Sequence, residues 1–521
     1  MNKSILTAAA LAAFTACQAP KGTQQVSKSP SNILDKEIVS KYMNTITPED
    51  LKEHLMTFAS DEFEGRETGE RGQKVAADYL TKFYFEQGLA GPVAGVPNPY
   101  LQKFTLNSVQ VNDYTVETKH HKGENFEDFV AYGNFNAEAI DTEYVFLGTG
   151  TEADFSTLSM EGKVAVILDA SEGKRSDTRA KITLAKSKGA KAIMIVMGSD
   201  QEFASRAKFF RQYSAKPSLS FDDAKSSDFG ILFSSPKGVK KLFGLGEDVS
   251  LAEVASSQEF KAANYVVEGK LGAKLNVGKV HTENVMAFME GTDLKDEVVV
   301  ISSHYDHVGI NDGEVYNGAD DDGSGTTGVL EIAEAFVTAA KEGYRPRRSV
   351  LFLNFTGEEK GLLGSEYYSD NPIIPLEKTI VDLNVDMIGR IDEAHKDNPN
   401  FIYIIGSDML SSGLHQLHEE VAKEAVPNIE LDYKYNDKND PNRFYYRSDH
   451  YNFAKHNIPV IFYFNGTHED YHQATDTPDK IAYEQQALRA KLIFATAWEI
   501  ANRNEKPVVD KAPAESEAKQ N

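Results

Sequence analysis

Histidines and carboxylates gather in five short stretches of the chain, most of them at the end of an apolar run. The run 298–303 leads into His304-Tyr305-Asp306-His307, and 351–355 leads into Gly357-Glu358-Glu359. The run 381–385 ends at Asp386, and 460–464 precedes His468-Glu469-Asp470-Tyr471-His472. Between them, Gly318-Ala319-Asp320-Asp321-Asp322-Gly323-Ser324-Gly325 opens a helical pattern. His304, Asp321, Glu359, Asp386 and His472 are the candidate metal ligands. Two imidazoles and three carboxylates suit two Zn2+ ions. Two such ions, roughly 3.5–4 Å apart, need an anion between them. Asp321, in a glycine-rich turn at a helix start, is placed to be that anion.

Such residues converge only if a scaffold brings strand ends together. Apolar runs at 298–303, 349–355, 380–386, 401–405 and 460–464 alternate with helical patterns at 325–341, 411–424, 448–456 and 483–503. Continuous apolar strands separated by helices predict an α/β fold. It is a mostly parallel twisted sheet covered by helices on both faces. Ligands of such sheets bind beyond the carboxyl ends of the strands. Upstream, Thr47-Pro48-Glu49-Asp50 reads as a helix start, and 69–87 as a helix with Val75, Tyr79, Leu80 and Phe83 on one face. From 112 to 270 short strand-like runs dominate, which predicts a β-rich insertion.

The 521 residues carry 55 Lys+Arg against 79 Asp+Glu, a net charge of −24. A surface this acidic repels nucleic acid, so no nucleic-acid partner is expected. The one cysteine, Cys17, excludes disulfides within the chain and thiolate zinc sites. It follows Lys3, an apolar stretch at 5–14 and Thr15-Ala16. That stretch is too short to span a bilayer and reads as a cleaved signal. Phe14-Thr15-Ala16-Cys17 resembles a bacterial lipobox. The expectation is a signal peptide over 1–16, a lipid-anchored flexible tether over 17–35, and a disordered tail over 506–521. The protein would then be a lipoprotein of the bacterial cell envelope, facing the periplasm or the cell exterior.

His304-x-Asp306, the Gly318–Gly325 run, Gly357-Glu358-Glu359, Val385-Asp386-Met387 and Tyr471-His472 occur in the order seen in the co-catalytic dizinc aminopeptidases. These are zinc exopeptidases of clan MH, whose relatives include glutamate carboxypeptidases, glutaminyl cyclases and the transferrin receptor. The resemblance covers roughly 284–503. Asp61-Glu62-Phe63-Glu64-Gly65-Arg66-Glu67-Thr68-Gly69 resembles the opening of lipoprotein-type members. The runs 162–167 and 185–192 resemble the protease-associated domain. A split catalytic domain over 36–111 and 271–505 is thus expected, with a protease-associated domain inserted at 112–270.

The resemblance implies roles. Asp321 bridges two Zn2+ ions, His304 and Asp386 complete one, and Glu359 and His472 the other. Asp306 holds the second nitrogen of His304. Glu358 is the general base, and Tyr471 donates to the oxyanion in some members. The bond Asp321–Asp322 is implied to be cis. His307, His450 and His468 read as lying outside the ligand set. The activity implied is an aminopeptidase acting on peptide substrates. Its rivals are a carboxypeptidase or dipeptidase, using Arg390, Arg443 or Arg447 for a substrate carboxylate, and a non-catalytic receptor-like homologue.

Overall fold

The computed structural model describes residues 35–169, 175–214, 216–223 and 226–511. The expected signal, Cys17, the tether up to residue 34 and the tail from 512 lie outside the described residues.

The helix start at Thr47 forms as its residues dictate. Pro48–Phe58 (α1) has proline in its first turn, and Thr47 accepts the N–H of Asp50 at 3.2 Å. Arg71–Gln87 (α2) begins two residues later than the pattern, because Gly69 stands at φ +85 in a conformation no helix uses; Gly88, at φ 77, ends it.

Eight strands build the body and its link to the inserted unit: Leu101–Thr118 (β1), Val266–Met289 (β2), Leu294–His304 (β3), Arg348–Phe355 (β4), Thr379–Val385 (β5), Phe401–Ile405 (β6), Glu430–Asp432 (β7) and Val460–Phe464 (β8). They belong to a 14-stranded sheet whose order here is β7-β6-β8-β5-β3-β4-β2. β3 pairs in parallel with β4 and β5, β5 with β8, and β6 with β7; β6–β8 and β4–β2 are antiparallel. The mostly parallel sheet is therefore as expected.

Both faces are covered, and alternation along the strands decides what goes where. Val299, Ile301, Val350, Phe352, Val381, Leu383 and Ile461 turn towards one core, shared with α1, α2, Gly325–Lys341 (α3) and Tyr483–Asn502 (α4). Val298, Val300, Leu351, Leu353, Val460 and Phe462 turn to the other, under the helix Leu363–Asp370 and the short helix His450–Ala454. A strand buried on both faces needs an unbroken apolar run, which is what β6 and β8 have.

The β-rich unit is joined to this body by strands. β1 and β2 pair antiparallel from Leu101↔Val285 to Thr118↔Gly269, with a register shift between Val111 and Asp113. The expected boundaries at 112 and 270 thus both cut strands: a paired ribbon runs through each. Beyond it, β2 pairs with Ala137–Phe146, and the sheet continues through Val164–Leu168, Ala192–Val196, Gly230–Ser234 and Phe129–Tyr132. Residues 506–511 also depart from the expected disordered tail. Lys506 pairs with Glu297 at 2.7 Å, and Asp510 accepts the N–H of Ser412 at 2.9 Å.

One side chain binds the N-terminal segment to the site. Arg66 is fully buried and donates to the carbonyls of Tyr305 (2.9 Å), Phe58 (3.2 Å), Asn317 (2.6 Å) and Gly318 (2.9 Å). Burial lowers its pKa to about 10. Beside it, Glu67 takes Lys216 of the inserted unit at 2.6 Å and Lys360 of the turn after β4 at 2.9 Å.

Candidate metal centre

Because β3, β4, β5 and β8 run parallel, their carboxyl ends share one edge, and the predicted residues leave from it. β3 ends at His304, Glu358 and Glu359 lie on the turn after β4, Asp386 follows β5, and His472 lies in the loop after β8. Asp321 comes from the irregular turn Ala319–Ser324 that opens α3, with φ −101 and ψ 102. The Asp321–Asp322 peptide bond is cis. Asp476 accepts the N–H groups of Asp320 (3.0 Å) and Asp321 (3.3 Å). Asp322 accepts those of His304 (3.2 Å), Gly325 (2.9 Å) and Met387 (3.0 Å), so one buried carboxylate ties the end of β3, the start of α3 and the segment after Asp386.

The five predicted ligands come together as two groups that share Asp321. In the first, His304 Nε2 lies 3.2 Å from Asp321 Oδ1 and 3.6 Å from Asp386 Oδ1. In the second, His472 Nε2 lies 2.9 Å from Asp321 Oδ2 and 3.1 Å from Glu359 Oε1. The two oxygens of Asp321 thus face one group each. The second group also contains His307, whose Nδ1 is 2.9 Å from Glu359 Oε1. His468 and His450 stand outside both groups: His468 Nε2 meets Asp320 at 3.1 Å, and the His450 ring stacks on Phe462 at 4.7 Å.

The donor set fits zinc. It is imidazole and carboxylate only, and it is almost wholly buried. Glu359 Oε1, though enclosed, makes no hydrogen bond among the described residues. Buried polar atoms are nearly always satisfied. The electrostatics point the same way. Burial works to raise the Glu359 carboxyl, yet His472 and His307 beside it hold it down at about 2. Burial opposes a charged His304, but Glu358 and Asp386 draw its pKa well up.

Glu358 sits apart from both groups, its Oε2 4.0 Å from His304 Nε2. Burial pushes its carboxyl well up; His304 opposes this and Glu359 adds to it. Asp306 differs from expectation. His304 Nδ1 meets the backbone carbonyl of Asp306 at 3.1 Å, while the carboxylate is 3.8 Å away. That carboxylate instead accepts the Thr68 hydroxyl at 2.7 Å and the Glu358 N–H at 3.2 Å. The ring nitrogen takes the nearer acceptor, which the turn after β3 already presents.

Tyr471 stacks on His472 with ring centroids 4.0 Å apart and lies 3.5 Å through its hydroxyl from Arg447. Arg447 lines the cleft with Glu358, Asp321 and Asp386, its guanidinium over Phe444. Arg390 is engaged by Asp470 at 2.8 Å, and Arg443 lies over the Tyr446 ring. Two residues had no role in the sequence reading. Ser448 donates to Asp386 Oδ2 at 2.6 Å, and burial raises the Asp449 carboxyl to about 7. The polar run Arg447-Ser448-Asp449-His450, ahead of a buried helix, was the available signal.

Residues 284–497 match Peptidase family M28. The chain is 29% identical over 227 residues to leucine aminopeptidase 2 of Trichophyton equinum, covering 42% of this chain and 40% of that protein. It is 34% identical over 105 residues to a probable glutamate carboxypeptidase of Arabidopsis thaliana, covering 20% and 14%. The chain therefore spans about 40% of the length of the leucine aminopeptidases it matches. In fold, it is similar to an aminopeptidase from Aneurinibacillus sp. strain AM-1, with a TM-score of 0.58 at 18% identity over 92% of this chain and 98% of that one. A zinc aminopeptidase from Bacillus subtilis gives a TM-score of 0.55 at 18% identity, covering 87% and 96%. The stretch 284–497, which carries the strand ends and both groups of donors, is thus the part of the chain that is similar to Peptidase family M28.

Proposed function

We propose that the protein is a zinc-dependent exopeptidase, an aminopeptidase that releases N-terminal residues from peptides. The carrying observation is the sharing of Asp321, whose Oδ1 faces His304 and Oδ2 faces His472. His304 and Asp386 would hold one Zn2+, Glu359 and His472 the other, and Asp321 both. Bound zinc supplies Lewis-acid polarisation of the scissile carbonyl and of water. The protein's own part is proton transfer and positioning. Glu358, not itself in either donor group, accepts a proton from the attacking water and delivers it to the leaving amine as the C–N bond breaks. Ser448 and the backbone carbonyl of Asp306 hold Asp386 and His304 in place. Tyr471, beside Arg447, is the side chain offered to the oxyanion.

Arg447 favours a second reading, a carboxypeptidase or dipeptidase, because it is the arginine lining the cleft. A panel of Ala-, Leu- and Lys-p-nitroanilide alongside N-blocked peptides with a free carboxylate separates the two. Hydrolysis of the anilides, lost on chelation and restored by zinc, is the expected result; cleavage confined to N-blocked peptides selects the second reading.

Lipidation of Cys17 would tether the enzyme to the cell envelope, and among the described residues no helix is long and apolar enough to cross a membrane. The inserted unit would be a protease-associated domain; the runs at Val164–Leu168 and Ala192–Val196, which form adjacent parallel strands, support it.

A further inference from the structure

We propose that His307 is a fourth protein ligand of the zinc assigned to Glu359 and His472. It closes that site, and leaves the His304/Asp386 zinc as the one open to water and substrate. This rests on the dinuclear reading above.

The backbone places His307 firmly. Its N–H donates to the Arg66 carbonyl at 3.2 Å, and two residues on Gly309 donates to Gly65 at 2.9 Å. The ring fills space that a side chain would otherwise take: a Cβ on Gly318 would lie 2.5 Å from it. It is 0% exposed, and neither ring nitrogen makes a hydrogen bond among the described residues. Burying an imidazole so is costly, and a buried polar group is normally satisfied. Yet Nδ1 lies only 2.9 Å from Glu359 Oε1. Close donors and acceptors that are not aligned on one another are what atoms arranged around a third centre look like.

The distances straddle those expected around such a centre. Ligands at 2.0–2.2 Å from a tetrahedral zinc are roughly 3.3–3.6 Å from one another. Around the second group the separations are 2.9 Å (His307–Glu359), 3.1 Å (His472–Glu359), 2.9 Å (His472–Asp321) and 3.8 Å (His307–Asp321). The rings of His307 and His472 stand nearly perpendicular, 72° apart with centroids at 5.6 Å. All four donor atoms lie within 4.8 Å of one another. The other group has three donors, His304, Asp321 and Asp386. Four protein ligands close a zinc site, whereas three leave a position for chemistry. The three-donor group is also the one beside Glu358.

The test is made on the zinc-loaded, full chain. X-ray absorption at the zinc edge counts imidazoles without any mutation. His304, His307 and His472 over two ions make one and a half per zinc, against one if His307 is not bound. Chelator competition on His307→Gln and His307→Ala is expected to weaken one zinc by about tenfold or more, the scale on which even supporting residues act. The other zinc stays unchanged. One imidazole per zinc in wild type, or both affinities unchanged in the variants, overturns the assignment while leaving the two-zinc reading intact. Wild type that takes up no zinc overturns the reading beneath it as well.

Discussion

The backbone N–H of Glu358 donates to the carboxylate of Asp306 at 3.2 Å, so the side chain expected to orient a metal ligand instead positions the proposed base. Asp306→Ala should therefore lower turnover, by about tenfold or more, with both zinc ions retained. A metal titration beside kcat checks this. Loss of one zinc with the remainder fully active would return Asp306 to the role of supporting His304.

Glu358 and Glu359 are neighbours with separable tasks. Glu358→Gln keeps size and polarity but cannot take a proton; turnover should fall by roughly 10²–10⁴ with zinc content unchanged. Glu359→Gln should chiefly weaken metal binding. Zinc analysis of both purified variants decides, and a reversed pattern exchanges the assignments.

Arg447 lies over Phe444 and beside Tyr471 at the cleft. Arg447→Ala should leave Leu-p-nitroanilide hydrolysis nearly intact and reduce kcat/KM for peptides carrying a nearby carboxylate, by about 10-fold for one lost charged hydrogen bond. Equal loss on both substrates would assign Arg447 to holding Tyr471.

Acid should destabilise the fold through His418. It is fully buried against Tyr463, and burial lowers its pKa to about 3. The unfolded chain binds this proton below pH ~6.5 and the folded chain does not, so stability is lost as pH falls from there. At pH 5 the cost is on the order of 2 kcal/mol. His418→Leu should flatten that part of the profile in urea titrations at pH 7.5 and pH 5; an unchanged slope rules the residue out as its source.

Cys17→Ser should release the protein from membranes without changing specific activity, since stable anchoring needs two acyl chains or an equivalent second signal. Fractionation of the native host tests it, and a wild type found wholly soluble and unlipidated refutes the anchor.

The body of the fold was legible because its strands are buried on both faces. β6 and β8 match the apolar runs residue for residue, and helix α3 begins and ends where its pattern does. The ligand set was legible because each member ends a strand, follows one in its connecting loop, or lies in the turn that opens a helix. What the linear pattern hides is which atom of a residue acts. Nothing in His-x-Asp says that the carbonyl of Asp306, and not its carboxylate, meets His304. Nor does it say that His307 turns inward; its backbone N–H is held by the Arg66 carbonyl, a contact between distant stretches of chain, and Gly318 leaves room for its ring. The boundaries of the inserted unit were hidden likewise, since a strand that crosses from one unit to the next has no break in composition to mark it.

The hydrogen bonds of Arg66 also govern the order in which the molecule can be completed. Its acceptors on Tyr305, Asn317 and Gly318 lie 239, 251 and 252 residues further along the chain. At synthesis rates of roughly 5–20 residues per second, they leave the ribosome on the order of 10–50 s after Arg66 does. The inserted unit, with apolar clusters of its own, is finished within that interval. The helices of the first hundred residues wait through it without the sheet that will cover Leu51 and Phe58. A substitution that slows the inserted unit should therefore lower the yield of active enzyme while leaving each finished molecule as active as before.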